Sequence, residues 1–182
     1  RRQELLDRVT DDLAANGLVD FSLRRAARAA GTTHKVLLYH FAGADDLLVQ
    51  AVLRLRGRRI EKSIAAAGPD HQQKLSARVR AVWPVLIDAE GWVLDQAIGL
   101  ALYDPDRYAD LGRGASQHYL PALLSICPAY WSDRRKLEIA EMVLATLRGF
   151  LIDRMASENT IGLDAGLAAL TRALDREEAA PG

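Results

Sequence analysis

The chain has 182 residues, of which 49% are apolar and 26% charged, and its formal net charge is zero. This composition excludes a wholly disordered chain and a collagen-like repeat, and the single cysteine, Cys127, excludes both an internal disulfide framework and a four-cysteine zinc site. The neutral total hides a division: residues 1–62 carry 12 basic and 8 acidic side chains, whereas residues 63–182 carry 12 and 16, so the positive excess sits at one end, which suggests a polyanion partner there, although a difference this small also arises by chance.

Helical spacing recurs almost throughout, and long period-2 alternation is absent. A first helix reads from about Gln3 to Ala15, with Leu5, Leu6, Val9 and Leu13 on one face and Asn16-Gly17 as its stop. Ser22, better placed than Asp20, caps a short second helix whose stripe is Leu23, Ala26, Ala27 and Ala30. Arg24, Arg25 and Arg28 lie off that stripe, facing water or a ligand, and Gly31 ends the helix. Thr32 or Thr33 caps a third helix that runs to about Tyr39 or His40, with Val36, Leu37 and Phe41 as its buried residues. After the turn at Ala42-Gly43-Ala44, Asp45 and Asp46 open a fourth helix at its positive end. Leu47, Leu48, Ala51, Val52 and Leu55 form its core face, and the basic run Arg54, Arg56, Arg58 and Arg59 reads mostly as a solvated face. That helix continues toward Ile64 and ends near Gly68-Pro69. The remainder reads as longer helices near 71–89, 92–103, 106–126, 132–156 and 163–178, punctuated or kinked by Pro84, Pro105, Pro121 and Pro128. The expected division is a first domain over 1–60, a second over 61–178 and a disordered tail over 179–182.

The informative segment is Ser22 to Phe41, two short helices joined by a tight glycine-containing turn, which is the form a helix-turn-helix needs. The stripe Ala26, Ala27, Ala30 lets the two helices approach closely at a steep angle. The second helix then projects and fits a major groove about 12 Å wide. Thr32, Thr33, His34, Lys35, Leu38, Tyr39 and His40 are its candidate contacts to base edges and phosphates, with Ser22, Arg24 and Arg25 as further phosphate contacts. The plainer alternatives are an ordinary packed helical corner, solvated arginines and a His40 that packs or caps.

Residues 3–55 resemble the DNA-binding domain of the TetR family of transcriptional regulators. The features that carry the resemblance are Asn16-Gly17, Phe21-Ser22, Ala26-Ala27, Ala30-Gly31, Tyr39-His40-Phe41 and Asp45-Asp46-Leu47-Leu48. The stretch Arg148 to Asp153 is similar to the penultimate helix of many members. The resemblance implies an all-α homodimer: an N-terminal three-helix helix-turn-helix domain, and a C-terminal helical domain that dimerises and binds a small molecule. It also implies a repressor released from its operator, a double-stranded DNA site, by that ligand. Two positions depart from the family pattern. Ala44 stands where many members have a lysine that grips a phosphate, and Lys35 stands where many have a small residue.

In the second part, Leu137, Ala140, Leu144, Leu147 and Leu151 make one apolar stripe, which Ile139, Val143 and Phe150 widen. The last helix adds Leu163, Leu167, Leu170 and Leu174. Ile139, Val143, Leu147, Phe150, Leu163, Leu167, Leu170 and Leu174 are therefore candidate dimer contacts; the alternative is the core of a monomeric bundle. Trp83, Trp92, Tyr103 and Phe150, with Gln96, Gln117 and His118 for directed hydrogen bonds, are candidate contacts for a mostly apolar or aromatic effector, although each ring taken singly also reads as core. No metalloprotease helix, phosphate loop or Glu-x-x-His ligand pair occurs, so no catalytic residue, metal or cofactor is assigned and an enzyme is not expected. A helical protein-binding adaptor is the main alternative, and an all-α enzyme a lesser one. No uncharged apolar run approaches the ~18–20 residues of a membrane span, and Arg1 to Asp12 is too charged for a signal peptide. The expectation is a soluble cytoplasmic protein with no membrane partner.

Overall fold

The structure is a computed structural model that describes residues 1–69, 72–157 and 160–180. All regular structure among the described residues is helical: α1 (Arg2–Asn16), α2 (Leu23–Ala29), α3 (His34–His40), α4 (Ala44–Ala67), α5 (Leu75–Leu86), α6 (Ala89–Tyr103), α7 (Pro105–Gly112), α8 (Ala115–Ile126), α9 (Asp133–Ser157) and α10 (Thr160–Ala179). Among the described residues no single helix is long and apolar enough to cross a membrane. The first four helices fall within a residue or two of the sequence reading. The single helix read over 106–126 is instead two. It breaks where Gly114 takes a left-handed conformation (φ 69°) that a side chain disfavours. Helix α10 reaches Ala179, the first residue of the expected tail; Pro181 and Gly182 lie outside the described residues.

The chain forms two compact units, Arg1–Arg59 with Asp88–Arg113, and Ile60–Ile87 with the described residues from Gly114 on. The two units divide within the continuous helix α4, between Arg59 and Ile60, and α6 and α7 belong to the first unit. The reason is core completion. Leu5, Val9 and Leu13 of α1, Ala26, Ala27 and Ala30 of α2, Leu37 of α3 and Leu47, Ala51 and Leu55 of α4 pack with Val93, Leu94 and Ala97 of α6 and Leu111 of α7.

Two arginines reinforce that packing. Arg56 donates from Nη2 to the Leu111 carbonyl (2.6 Å), and Arg59 pairs with Asp95 of α6 at 3.5 Å, both partners nearly fully buried. The expectation of a mostly solvated basic face on α4 is therefore wrong for these two. Arg54 pairs with Asp7 and Arg58 with Asp11 at the rim. The register explains the burial. Leu48, Val52, Leu55 and Arg59 follow one another at four-three-four spacing, so Arg59 continues the core stripe by geometry rather than by hydrophobicity.

The second unit packs Leu75, Val79 and Val82 of α5 against Ile139, Val143, Leu147 and Leu151 of α9 and Leu167, Leu170 and Leu174 of α10. A buried arginine, Arg78, donates to the carbonyls of Ala67 (3.2 Å), Gly68 (2.9 Å) and Ile126 (2.9 Å), so one guanidinium closes the C-terminal ends of both α4 and α8. The eight candidate dimer contacts are corrected here. Ile139, Val143, Leu147, Leu163, Leu167, Leu170 and Leu174 are buried inside this single chain. Phe150 turns inward against Trp83 and Gly166. The apolar pattern of α9 and α10 was real, and the bundle's own core uses it.

Candidate nucleic-acid interface

The segment from Ser22 to Phe41 forms the expected helix pair. Ser22 adopts extended backbone and its hydroxyl accepts from the Arg25 amide (3.3 Å), capping α2. The helix closes with two amides that reach back, Gly31 to Arg28 O (3.1 Å) and Thr32 to Ala27 O (2.9 Å). That closure needs a left-handed residue, and Gly31 supplies it at φ 62°. Thr33 then caps α3 by accepting from the Val36 amide (3.4 Å). Ala26, Ala27 and Ala30 are all buried between the helices, as a close crossing requires.

The opposite face of α3 is open. Thr33, His34 and Lys35 are exposed, Leu38 is 52% exposed and Tyr39 85%. Leu38 and Tyr39 therefore stand outside the core, beside a fully buried Leu37. Ser22 and Arg24 are also exposed. Thr32 and His40 are half-buried, and the His40 ring stands edge-on to Tyr39 at 5.0 Å.

Arg25 is not a free phosphate contact. Its guanidinium binds the Asp12 carboxylate (2.6 Å) and the carbonyls of Gly17 and Val19 (2.8 Å each), with side-chain exposure of 14%. It holds the α1–α2 loop in shape.

The start of α4, where Ala44 replaces the expected basic residue, is acidic but internally balanced. Arg107 of α7 grips Asp45 through Nε (3.2 Å) and Nη2 (3.1 Å), and the Asp45 carboxylate raises the arginine's pKa further. Asp46 accepts the Ala42 amide (2.8 Å). Arg107 was not singled out in the sequence, and a contact 62 residues away leaves no local signal.

The candidate effector residues divide between the two units. Trp92, Gln96 and Tyr103 belong to the first unit, and Trp83, Gln117, His118 and Phe150 to the second. Gln96 uses Oε1 to accept the Leu18 amide (3.2 Å), and Tyr103 is 87% exposed. Trp83 and Phe150 do meet, edge-to-face at 6.1 Å. Nearby in sequence, Arg148 donates to Ser116 Oγ (2.7 Å) and lies over the Tyr119 ring.

A helix-turn-helix with an open second helix, in a chain whose described residues form only helices, can be compared with solved structures. The fold matches a TetR-family transcriptional regulator from Cytophaga hutchinsonii (TM-score 0.70, 16% identity, 96% of this chain and 92% of that one). It also matches a TetR-family member from Streptomyces coelicolor A3 (0.67, 23%, 94% and 96%). A third match is a multidrug binding protein, EbrR, complexed with imidazole (0.68, 23%, 94% and 88%). No protein-family model and no curated protein matches the sequence. At these identities the comparisons establish the fold: the chain has the fold of TetR-family transcriptional regulators.

Proposed function

We propose that the chain is a sequence-specific DNA-binding transcriptional regulator, a cytoplasmic homodimer whose α3 reads the major groove. The observation that carries this reading is the open face of α3, with Lys35, Leu38 and Tyr39 presented from a helix whose own core contact is Leu37. Phosphate contacts come from Ser22, Arg24, Thr33 and Lys35, and base contacts from His34, Leu38 and Tyr39. The fold shared with TetR-family regulators supports the same reading.

A dimer presents two copies of α3 about 34–36 Å apart, one helical turn of DNA. Its contact surface is the exposed side of α9 and α10. Met142, Ala145, Gly149 and Ile152 recur there at three- and four-residue spacing, beside Ala165, Ala169 and Ala173. These small and apolar side chains leave helices free to pack closely. The chain acts as a repressor that a small, mostly apolar or aromatic ligand releases from DNA. That ligand binds in the second unit near Trp83 and Phe150; the likeness to a multidrug binding protein complexed with imidazole supports this class. Release follows from linkage: a ligand bound better by the dimer whose reading helices are wrongly spaced depletes the DNA-competent population, with a coupling of roughly 1–3 kcal/mol. On this reading the protein is not an enzyme.

The test is enrichment of duplexes from a random-sequence pool by the purified chain. A recurring two-fold symmetric site, bound with an affinity that falls steeply with salt, is the expected result. Recovery of the pool without sequence preference overturns the reading in favour of a helical adaptor.

A further inference from the structure

Helix α3 is seven residues long and fully buries only Leu37 within it, with Phe41 buried just past its end, so few packing contacts along the helix itself define its tilt. Its far end is fixed by a chain of side chains across the α3–α4 turn. Arg2, at the start of α1, donates through Nε to the His40 carbonyl (3.3 Å) and through Nη2 to Oε1 of Gln50. Its guanidinium also lies over the Phe41 ring, 4.9 Å from the centroid. Gln50 in turn donates through Nε2 to Oδ1 of Asp46 (2.7 Å), whose other oxygen accepts the Ala42 amide (2.8 Å). His40 is the last residue of α3, and its carbonyl has no acceptor role left inside the helix. A guanidinium there satisfies that oxygen and sits at the negative end of the helix dipole. The network therefore ties α1, the end of α3, the turn and α4 together across a 69° change of direction between α3 and α4.

We propose that the Arg2–Gln50–Asp46 network is a positioning device that sets the tilt of α3 and with it the sequence selectivity of DNA binding. This rests on α3 being the DNA-reading helix. Arg2 acts through the His40 carbonyl and Gln50, without itself touching a base. Without the network, α3 rocks about Leu37. Base-edge hydrogen bonds need fixed geometry and suffer; attraction to phosphates tolerates the motion. Selectivity therefore falls further than non-specific affinity. Arg2 and Gln50 work as one unit, so their losses do not add.

The experiment uses the full chain, a duplex enriched from a random pool by the wild type, and a scrambled duplex of equal length. Affinities for both are measured at one salt concentration for the wild type, Arg2→Lys, Gln50→Ala and the pair combined. Amide hydrogen exchange over the whole chain reports folding. The expected result is a fivefold or greater fall in the ratio of enriched to scrambled affinity for each single variant. For Gln50→Ala, affinity for the scrambled duplex stays within twofold, because no charge is removed. The combined variant falls no further than the worse single one, and exchange quickens at residues 37–41 while α1 stays protected. Arg2→Lys keeps the charge but has one nitrogen in place of the two, Nε and Nη2, that hold the separate oxygens of His40 and Gln50 in a planar fork, so it does not rescue. Ratios within twofold of wild type for both single variants, or losses that add, overturn the proposal. A wild-type chain that enriches no site removes the DNA-reading assignment itself, and this inference with it, before any variant is compared.

Discussion

Gly166 offers a test in which two opposing effects have known size. It lies in α10 against Phe150, and a β-carbon placed there stands 2.8 Å from Cε1 and 2.9 Å from Cζ of that ring. Phe150 also meets Trp83 edge-to-face, with centroids 6.1 Å apart, so moving the ring disturbs a second contact. Replacing glycine by alanine inside a helix ordinarily stabilises by about 1 kcal/mol. Forcing a methyl group into a filled core costs about 1–3 kcal/mol. The contact is closer than an ordinary van der Waals distance to two atoms of a ring that also meets Trp83, so the second effect is expected to win, and Gly166→Ala is expected to destabilise by about 1 kcal/mol. For a chain of this length that lowers the Tm by about 2–4 °C. Gly99, in α6, meets nothing within 4 Å of its own added β-carbon, so Gly99→Ala is expected to stabilise by up to about 1 kcal/mol. Thermal and urea unfolding of both variants, monitored by circular dichroism, provides the assay. A Gly166→Ala protein as stabilised as Gly99→Ala would refute the packing described for α9, α10 and Trp83.

Three further expectations follow from single contacts. Asp95→Ala removes a buried carboxylate that Arg59 meets at 3.5 Å and is expected to destabilise by up to about 3–5 kcal/mol in urea unfolding; a loss below about 1 kcal/mol contradicts the buried pair. Burial pushes the Cys127 thiol up to about 11, so at pH 8 the native protein is expected to resist iodoacetamide while the urea-unfolded chain reacts fully, and equal rates would place the thiol at the surface. The sign for stability follows, because the folded pKa lies above the unfolded one: the contribution is complete below about pH 9 and is lost as pH rises to about 11. Ala169→Arg puts a charge on the exposed side of α10 and is expected to yield a folded monomer in sedimentation, whereas an unchanged dimer would move the interface elsewhere.

The helix-turn-helix was legible because its signals are local. Ser22, Gly31 and Thr33 act on backbone within three to five residues of themselves, and the small stripe Ala26, Ala27, Ala30 declares the close crossing without reference to anything distant. The same holds for the ends of α1 and α4. What the sequence hid is long-range. Arg25 meets Asp12, Arg107 meets Asp45 and Arg59 meets Asp95 across 13, 62 and 36 residues, and no spacing rule pairs them. Arg59 carried a usable signal in its register with Leu48, Val52 and Leu55, but its charge argued the other way.

The candidate dimer contacts failed for a related reason. A stripe such as Ile139, Val143 and Leu147 shows that something covers it; amphipathicity does not say whether the cover is the same chain. The side chains left outside are Leu137, Met142 and Ile152, which the pattern does not separate from the core ones, and the small residues Ala145, Gly149, Ala165 and Ala169, which carry little hydrophobic signal. Similarly, α6 and α7 joined the first unit because Val93, Ala97 and Leu111 complete its core, a fact of shape that composition along the chain does not record.

The most direct measurement is the affinity of Tyr39→Ala and Lys35→Ala for an enriched duplex, with Tm recorded for each. Both side chains are exposed and neither supports the core, so the fold is expected to stay within about 0.5 kcal/mol of wild type. Binding is expected to weaken by about 1–3 kcal/mol, roughly 5- to 150-fold, with a shallower salt dependence for Lys35→Ala. Undiminished affinity in both variants, in folded protein, would show that α3 does not read DNA.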